Sequence, residues 1–507
     1  MNKLPTGIPG FDLITLGGLP EGRATLISGT SGSAKTVFAC QFLGAGIEQY
    51  HQPGVFVTFE ETPEAIRANM AGFGWNIPAW EERGQWAFVD VSPRVEQPDV
   101  IAGAYDLSAL LVRIENAVRR VGARRVAIDS LGGIFTQLEP SAAIRLELFR
   151  IVTALKQMGV TALVTAERSD DHGPISRYGI EEFVTDNVVI LRNTLEAEKR
   201  RRSLEILKIR GAHHQKGEFP FTINSEQGLV VIPLSAIELK QKSSALRVSS
   251  GIPELDQMCG GGFFRDSIIL LSGATGTGKT LVTTQFIAGG INAGQRSLLF
   301  AFEESRDQLF RNAAGWGIDF EEMERQGLLR VNCDYPEICS LEDHLISIKR
   351  TMDEFRPQRV AVDSLSALER VATVKSFREF AIGLTSHIKD LNVAGLFTAT
   401  SSSLLGGSSI TETHISTLTD SIILLRYVEM YGEMRRGLTV LKMRGSSHDK
   451  DIREFTIDGN GMHIGKPFRT ITGILSGQFT YRTMDEAERI GALFRDDTPI
   501  DHPGHGT

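Results

Sequence analysis

Gly273-Ala274-Thr275-Gly276-Thr277-Gly278-Lys279-Thr280 follows the apolar run Ile268-Ile269-Leu270-Leu271. The string satisfies G-x-x-x-x-G-K-[ST] at every constrained position. Small residues let backbone N–H groups close around phosphate oxygens, Lys279 adds a positive charge, and the Thr280 hydroxyl reaches Mg2+. The apolar run reads as a buried strand and the residues from Lys279 as a helix, the context that a phosphate-binding loop needs.

The same string recurs 270 − 26 = 244 residues earlier, where LISGTSGSAKT (residues 26–36) matches LLSGATGTGKT (residues 270–280). The earlier loop is Gly29-Thr30-Ser31-Gly32-Ser33-Ala34-Lys35-Thr36, with Ala34 in place of the second glycine. That methyl crowds the loop if the position needs positive φ and is harmless if it does not; a working nucleotide site is expected. Four more landmarks keep the order. They are Gly7-Ile8-Pro9 with Gly251-Ile252-Pro253, Phe59-Glu60-Glu61 with Phe302-Glu303-Glu304, Ile128-Asp129-Ser130 with Val362-Asp363-Ser364, and Leu207-Lys208-Ile209-Arg210-Gly211 with Leu441-Lys442-Met443-Arg444-Gly445. Their offsets fall between 362 − 128 = 234 and 251 − 7 = 244. A duplicated domain accounts for this. The expected division is 1–240, a polar linker 241–250, 251–470, and a C-terminal loop and tail 471–507.

In each copy, short apolar runs alternate with helical patterns: residues 26–28, 54–59, 126–128, 162–165 and 188–191, then 268–271, 297–302, 360–362, 395–398 and 422–425. Continuous apolar strands separated by helices imply an α/β fold, each sheet mostly parallel with helices on both faces. Antiparallel hairpins are expected after Val188 and Ile422.

The acids follow from this frame. Asp129 and Asp363 each end an apolar strand, where a carboxylate near a phosphate loop serves Mg2+ through water. The metal set is therefore Thr36, Asp129, Thr280 and Asp363. Glu60-Glu61 and Glu303-Glu304 close the strand after each loop helix. A carboxylate there can accept a proton from water or a hydroxyl, and its neighbour can orient it or raise its pKa. Both members of each pair are catalytic candidates.

Composition narrows the partners. Of 507 residues, 54 are Lys or Arg and 62 Asp or Glu, so the net charge is −8. That argues against a broad basic footprint for nucleic acid. The four cysteines form no C-x-x-C pair, which suits reduced thiols in a cytoplasm. No leader is expected from the first ten residues, and the longest apolar runs are strand-length, so no membrane span is expected. His213, His214, His414 and His448 lack metal-site spacing.

Taken together, these strings resemble the KaiC family of circadian clock ATPases and autokinases. The likeness covers about residues 7–476, including VFVTFEETPE (55–64), DNVVILRN (186–193), CGGGFFRDSIIL (259–270) and KMRGSSHDK (442–450). It implies two RecA-like P-loop domains, called CI and CII in the family, and six chains in a double ring with ATP between neighbours. It also implies that Lys208, Arg210, Lys442 and Arg444 act on the neighbouring subunit's phosphates. A Lys-x-Arg pair on a strand presents both side chains on one face. Ser416 and Thr417 match the family's phosphoacceptor pair, Thr411 a nearby position where phosphate sits transiently, and Arg370 a contact to the phosphorylated pair across the interface. Glu303 is taken as the base, with Glu304 in support. After Gly477 the likeness fades apart from a loop-like match over 468–482, which argues against dependence on KaiA. Residues 104–110 resemble the region on which KaiB docks. The expectation is slow ATP hydrolysis in the first domain, and autophosphorylation of Ser416 and Thr417 with its reversal in the second. Two other readings compete: a RecA/DnaB-like motor on single-stranded DNA, which lacks its basic-aromatic stripe here, and a nucleotide-switched scaffold without autokinase function.

Overall fold

The computed structural model describes residues 2–92, 107–130, 132, 141–177, 179, 181–196, 199–233, 243–401, 415–430, 432–469, 471, 472, 474, 480 and 481. The chain separates into two compact units, Met1–Glu238 and Leu239–Thr507.

Each unit is built on a nine-stranded mixed sheet. In the first, the order is Gly228–Val231, Glu218–Asn224, Lys199–Ile209, Asn187–Glu196, Ala24–Gly29, Thr161–Glu167, Arg125–Asp129, Gly54–Thr58, Trp86–Asp90. From Asn187–Glu196 to Trp86–Asp90 neighbouring strands run parallel; the three remaining pairings are antiparallel. The second sheet repeats this order around Ile268–Gly273, with Ser421–Met430, Glu433–Met443, Arg453–Asp458 and Gly461–Pro467 as its antiparallel wing. The hairpins expected after Val188 and Ile422 are those wings.

The parallel strands are apolar because both of their faces are covered. Along Gly54–Thr58, Phe56 enters the core shared with the helix Lys35–Tyr50, while Val55 and Val57 enter the core under Leu107–Val121 and Ser141–Gln157. In the second unit the helix Lys279–Asn292 supplies Leu281, Val282, Phe286 and Ile287 to one core. The helices Leu341–Phe355 and Val374–Asp390 bury Leu345, Ile348, Met352, Phe380, Leu384 and Ile388. Both of these helices start from a capping box, Ser340 with Asp343 and Thr373 with Ser376, which satisfies the first free backbone N–H groups.

An arginine is buried in each unit at a matched place. Arg125 and Arg359 are 0% and 1% exposed. Arg359 donates to the Gln295 amide oxygen (2.7 Å) and to the carbonyls of Ser249 (2.6 Å) and Phe286 (2.9 Å); Arg125 does the same with Gln52, Thr6, Pro5 and Phe42. Burial without a carboxylate partner lowers both guanidinium pKa values to about 10. Each side chain fits because glycine faces it. A Cβ on Gly46 or Gly290 would stand 2.5 Å from the arginine Cδ. Gly290→Ala should therefore destabilise the second unit by about 1–3 kcal/mol in a denaturant titration; an unchanged midpoint would contradict this packing.

Candidate active site

The phosphate loops lie where parallel α/β sheets place ligands, outside the carboxyl ends of the strands. Ala24–Gly29 runs into the first loop and the helix Lys35–Tyr50, and Ile268–Gly273 into the second loop and Lys279–Asn292. The two loops have the same internal bonds. Lys35 Nζ donates to the carbonyls of Gly29 and Thr30, both at 3.0 Å; Lys279 Nζ donates to Gly273 (2.9 Å) and Ala274 (3.0 Å). Ser33 Oγ bonds the Thr30 carbonyl at 2.7 Å, and Thr277 Oγ1 the Ala274 carbonyl at 2.8 Å. The lysines curl onto their own loops, so a phosphate has to draw them outward. Burial lowers both lysine pKa values, opposed by Glu167, Asp129 and Glu60 in the first loop and by Asp363 and Glu303 in the second.

Ala34 occupies the left-handed region at φ 74°, where Gly278 has φ 105°. The loop does need positive φ here, so the methyl is strained, by about 1–2 kcal/mol. Opposing this, Ala34 packs against the core of its unit and costs less chain entropy on folding than glycine, by about 0.5–1 kcal/mol. The terms nearly cancel. Ala34→Gly should shift stability by under about 1 kcal/mol and leave ATP binding at the first loop nearly unchanged. A large gain in affinity by calorimetry would show that the methyl blocks the loop.

Each strand-end acid meets its loop. Thr36 Oγ1 donates to Asp129 Oδ2 at 2.6 Å and Thr280 Oγ1 to Asp363 Oδ2 at 2.8 Å. Burial raises both aspartate pKa values, against the hydrogen bonds that favour the charged form. A threonine hydroxyl beside one carboxylate is a hard-oxygen pair that fits Mg2+ completed by phosphate and water. Among the described residues no group of three or more His, Cys, Asp or Glu gathers into a protein-only metal cage.

The glutamate pairs, expected to close their strands, lie in the bends that follow Gly54–Thr58 and Ser297–Ala301, and their members turn to different partners. Glu60 Oε1 accepts from Ser130 Oγ at 2.5 Å, and Glu61 Oε2 from Asn69 at 3.0 Å. In the second unit Glu304 is held by Asn312 at 3.1 Å, while Glu303, exposed at the mouth, accepts from Arg370 at 2.7 Å. Burial and then the Asp363 charge raise the Glu304 pKa. Arg370 thus has a partner inside its own chain.

Of the residues expected to serve a neighbour, Lys208, Arg210, Lys442 and Arg444 lie at the opposite end of the parallel strands from the loops. Asp420 bonds Ile268, the first residue of Ile268–Gly273, through its backbone N–H and its carboxylate, both at 2.9 Å. The second loop begins five residues further along that strand, about 17 Å away. Lys442 Nζ donates to the carbonyls of Ser416 and Thr419, both at 2.7 Å, and Arg444 to that of Thr417 at 3.0 Å. Ser416 is half-buried and Thr417 exposed. In the first unit Lys208 bonds the carbonyls of Glu182 and Thr185, and Arg210 that of Phe183. At the offset of 234, Glu182-Phe183 stand where Ser416-Thr417 stand. The first unit therefore has no hydroxyl at this place.

Sequence reading missed several members of these clusters: Asn69 and Asn312, Ser130, Glu167, Thr165 and Thr398, and the aspartates Asp186 and Asp420 beside Arg210 and Arg444 (4.0 and 3.5 Å). Their signal was the recurrence of single polar residues at matching offsets, except for Glu167, which stands opposite Thr400 at the offset of 233. Thr411, residues 104–106, His414, and the tail from 482 onward lie outside the described residues. Cys333 is half-buried and outside any disulfide, and burial raises its thiol pKa. Among the described residues no helix is long and apolar enough to cross a membrane.

Two P-loop units in tandem, each pairing loop lysine and threonine with a strand-end aspartate, define an ATPase of RecA-like build. A family profile described as "ATPase: KaiC" matches residues 4–236 and 248–468. The chain belongs to the KaiC ATPase family. It is 65% identical over 494 residues to circadian clock protein KaiC3 of Synechocystis sp., covering 97% of this chain and 98% of that protein. It is 54% identical over 493 residues to the circadian clock oscillator proteins KaiC of Thermosynechococcus vestitus and of Synechococcus elongatus, covering 97% of this chain and 95% of each.

Proposed function

We propose that this ATPase is also a serine/threonine autokinase and autophosphatase whose two domains, 1–240 and 251–470, do unequal chemistry. The observation that carries it is the asymmetry at the matched turn. The second domain presents Ser416 and Thr417 beside Lys442 and Arg444, where the first presents Glu182 and Phe183. In the first domain Glu60 or Glu61 orients water for slow hydrolysis. In the second, Glu303 takes the proton of a Ser416 or Thr417 hydroxyl as its oxygen attacks the γ-phosphorus in line. The bond to the β–γ bridging oxygen breaks and ADP leaves. The reverse transfer to ADP removes the phosphate and restores ATP. Glu304 supports Glu303, and Arg370, which pairs with Glu303 within the chain, contacts the phosphorylated pair across the interface.

Thr36 with Asp129 and Thr280 with Asp363 would hold Mg2+, which when bound would neutralise charge developing on the phosphates. The P-loop residues 29–36 and 273–280 bind the triphosphate. Lys208, Arg210, Lys442 and Arg444 complete the site of the adjacent chain, and the assembly is a homohexameric double ring in the cytoplasm. A KaiB-like partner docks on the first domain near residues 104–110, and nucleic acid is not a partner.

Incubation of the full chain with Mg2+ and ATP, followed by peptide mass spectrometry, tests the reading. Phosphate is expected on the peptide carrying Ser416 and Thr417. Phosphate elsewhere moves the acceptor, and ATP turnover with no phosphopeptide leaves an ATPase alone.

A further inference from the structure

Thr165 and Thr398 lie in the strands Thr161–Glu167 and Ala394–Thr400, both 0% exposed. Their chain neighbours, Leu163, Val164 and Ala166 or Leu396, Phe397 and Ala399, are buried and apolar. A hydroxyl in such a strand needs a partner, and both threonines have the same one. Thr165 Oγ1 donates to Oδ1 of Asp129, and Thr398 Oγ1 to Oδ1 of Asp363 at 2.5 Å. The parallel register brings this about. Ile128 stands opposite Val164 and Val362 opposite Phe397, so the following Asp and Thr come side by side. The other carboxylate oxygen, Oδ2, is the one that meets Thr36 or Thr280.

We propose that Thr165 and Thr398 are positioning residues for magnesium. By occupying Oδ1, each hydroxyl fixes the rotation of its aspartate, so that Oδ2 faces the P-loop threonine and the metal's side of the site. Valine has the same shape and would suit the apolar surroundings better. The hydroxyl, at the matched offset 398 − 165 = 233, is what the two sites share. Hydrogen bonds to a carboxylate are stronger than neutral ones, and partners of metal-holding groups tune metal affinity by about 10–100-fold.

The inference rests on the reading that Asp129 and Asp363 serve Mg2+, and the test separates the two. The affinity of the full chain for a slowly hydrolysed fluorescent ATP analogue is measured by anisotropy in Mg2+ and in EDTA. The pair Thr165→Val/Thr398→Val should lose about tenfold or more of the affinity in Mg2+ and keep the value in EDTA, and Thr165→Ser/Thr398→Ser should restore it. Equal weakening in both buffers, or none, overturns the proposal, because a packing role is blind to the metal. If Asp129→Asn/Asp363→Asn loses the gain from Mg2+ while the valine pair keeps it, the metal reading stands and this inference falls. If the asparagine pair keeps the gain, both fall. Should the valine pair not fold, Thr165→Cys/Thr398→Cys, with similar volume and a weak donor, is read in the same way.

Discussion

Ser416→Ala/Thr417→Ala, incubated with Mg2+ and γ-labelled ATP, should incorporate no label and should continue to release phosphate from ATP. The loss is expected to be complete, because the reaction needs a hydroxyl beside the cations and the substitution removes both. The fold should tolerate it. Lys442 and Arg444 hold this turn through the backbone carbonyls of Ser416, Thr417 and Thr419, which alanine keeps. Phosphorimaging after electrophoresis reads the label and a phosphate-release assay reads the turnover. Persisting label would place the acceptor elsewhere. Loss of turnover together with label would mean that the turn is needed for the ATP sites themselves.

The second large effect concerns which chain supplies the ATP. Ser416 and Thr417 precede Ser421–Met430 at the edge where Ile268–Gly273 begins, whereas the loop Gly273–Thr280 follows the other end. About 17 Å of strand separates the two edges, and in-line transfer needs atoms within about 3–3.5 Å. On the autokinase reading proposed above, the chain's own second loop is out of reach, and the expected donor is the second loop of another copy, joined head to tail. Lys279→Ala, which lacks the loop cation, should stay unlabelled alone, as should Ser416→Ala/Thr417→Ala. Mixed and reassembled in equal amounts, they should recover on the order of a quarter of wild-type label, all of it on the Lys279→Ala chain. Half of the chains are acceptors, and half of those adjoin a donor in a randomly filled ring. No label in the mixture would mean transfer within one chain and would end the head-to-tail arrangement.

Sequence reading and structure agree most closely where the chemistry is local. The strand-loop-helix junctions at Gly29 and Gly273 were legible because eight consecutive residues carry the whole requirement. Lys208 with Arg210 and Lys442 with Arg444 do meet the same turn in each unit, although each arginine lies one residue past the end of its strand. The state of Ala34 was not legible, since composition cannot give a φ angle. Nor was the division of the glutamates, because Asn312 takes Glu304 from the next helix while Arg370 reaches Glu303 from 67 residues along the chain. Thr165 and Thr398 read as ordinary strand residues until their strands lay beside the aspartates.

By itself the sequence determined that a P-loop unit occurs twice, that each unit is a mostly parallel sheet covered on both sides, and which residues are the candidates to meet phosphate. Recurring strings and continuous apolar runs set these features along the chain. Only the tertiary structure decided that the candidate acceptors and their cations stand at the far end of the strands from their own loop, and that a buried hydroxyl backs each strand-end aspartate. Both depend on which strands lie side by side and in what register. Long-range pairing sets that register, which no single stretch of the sequence encodes.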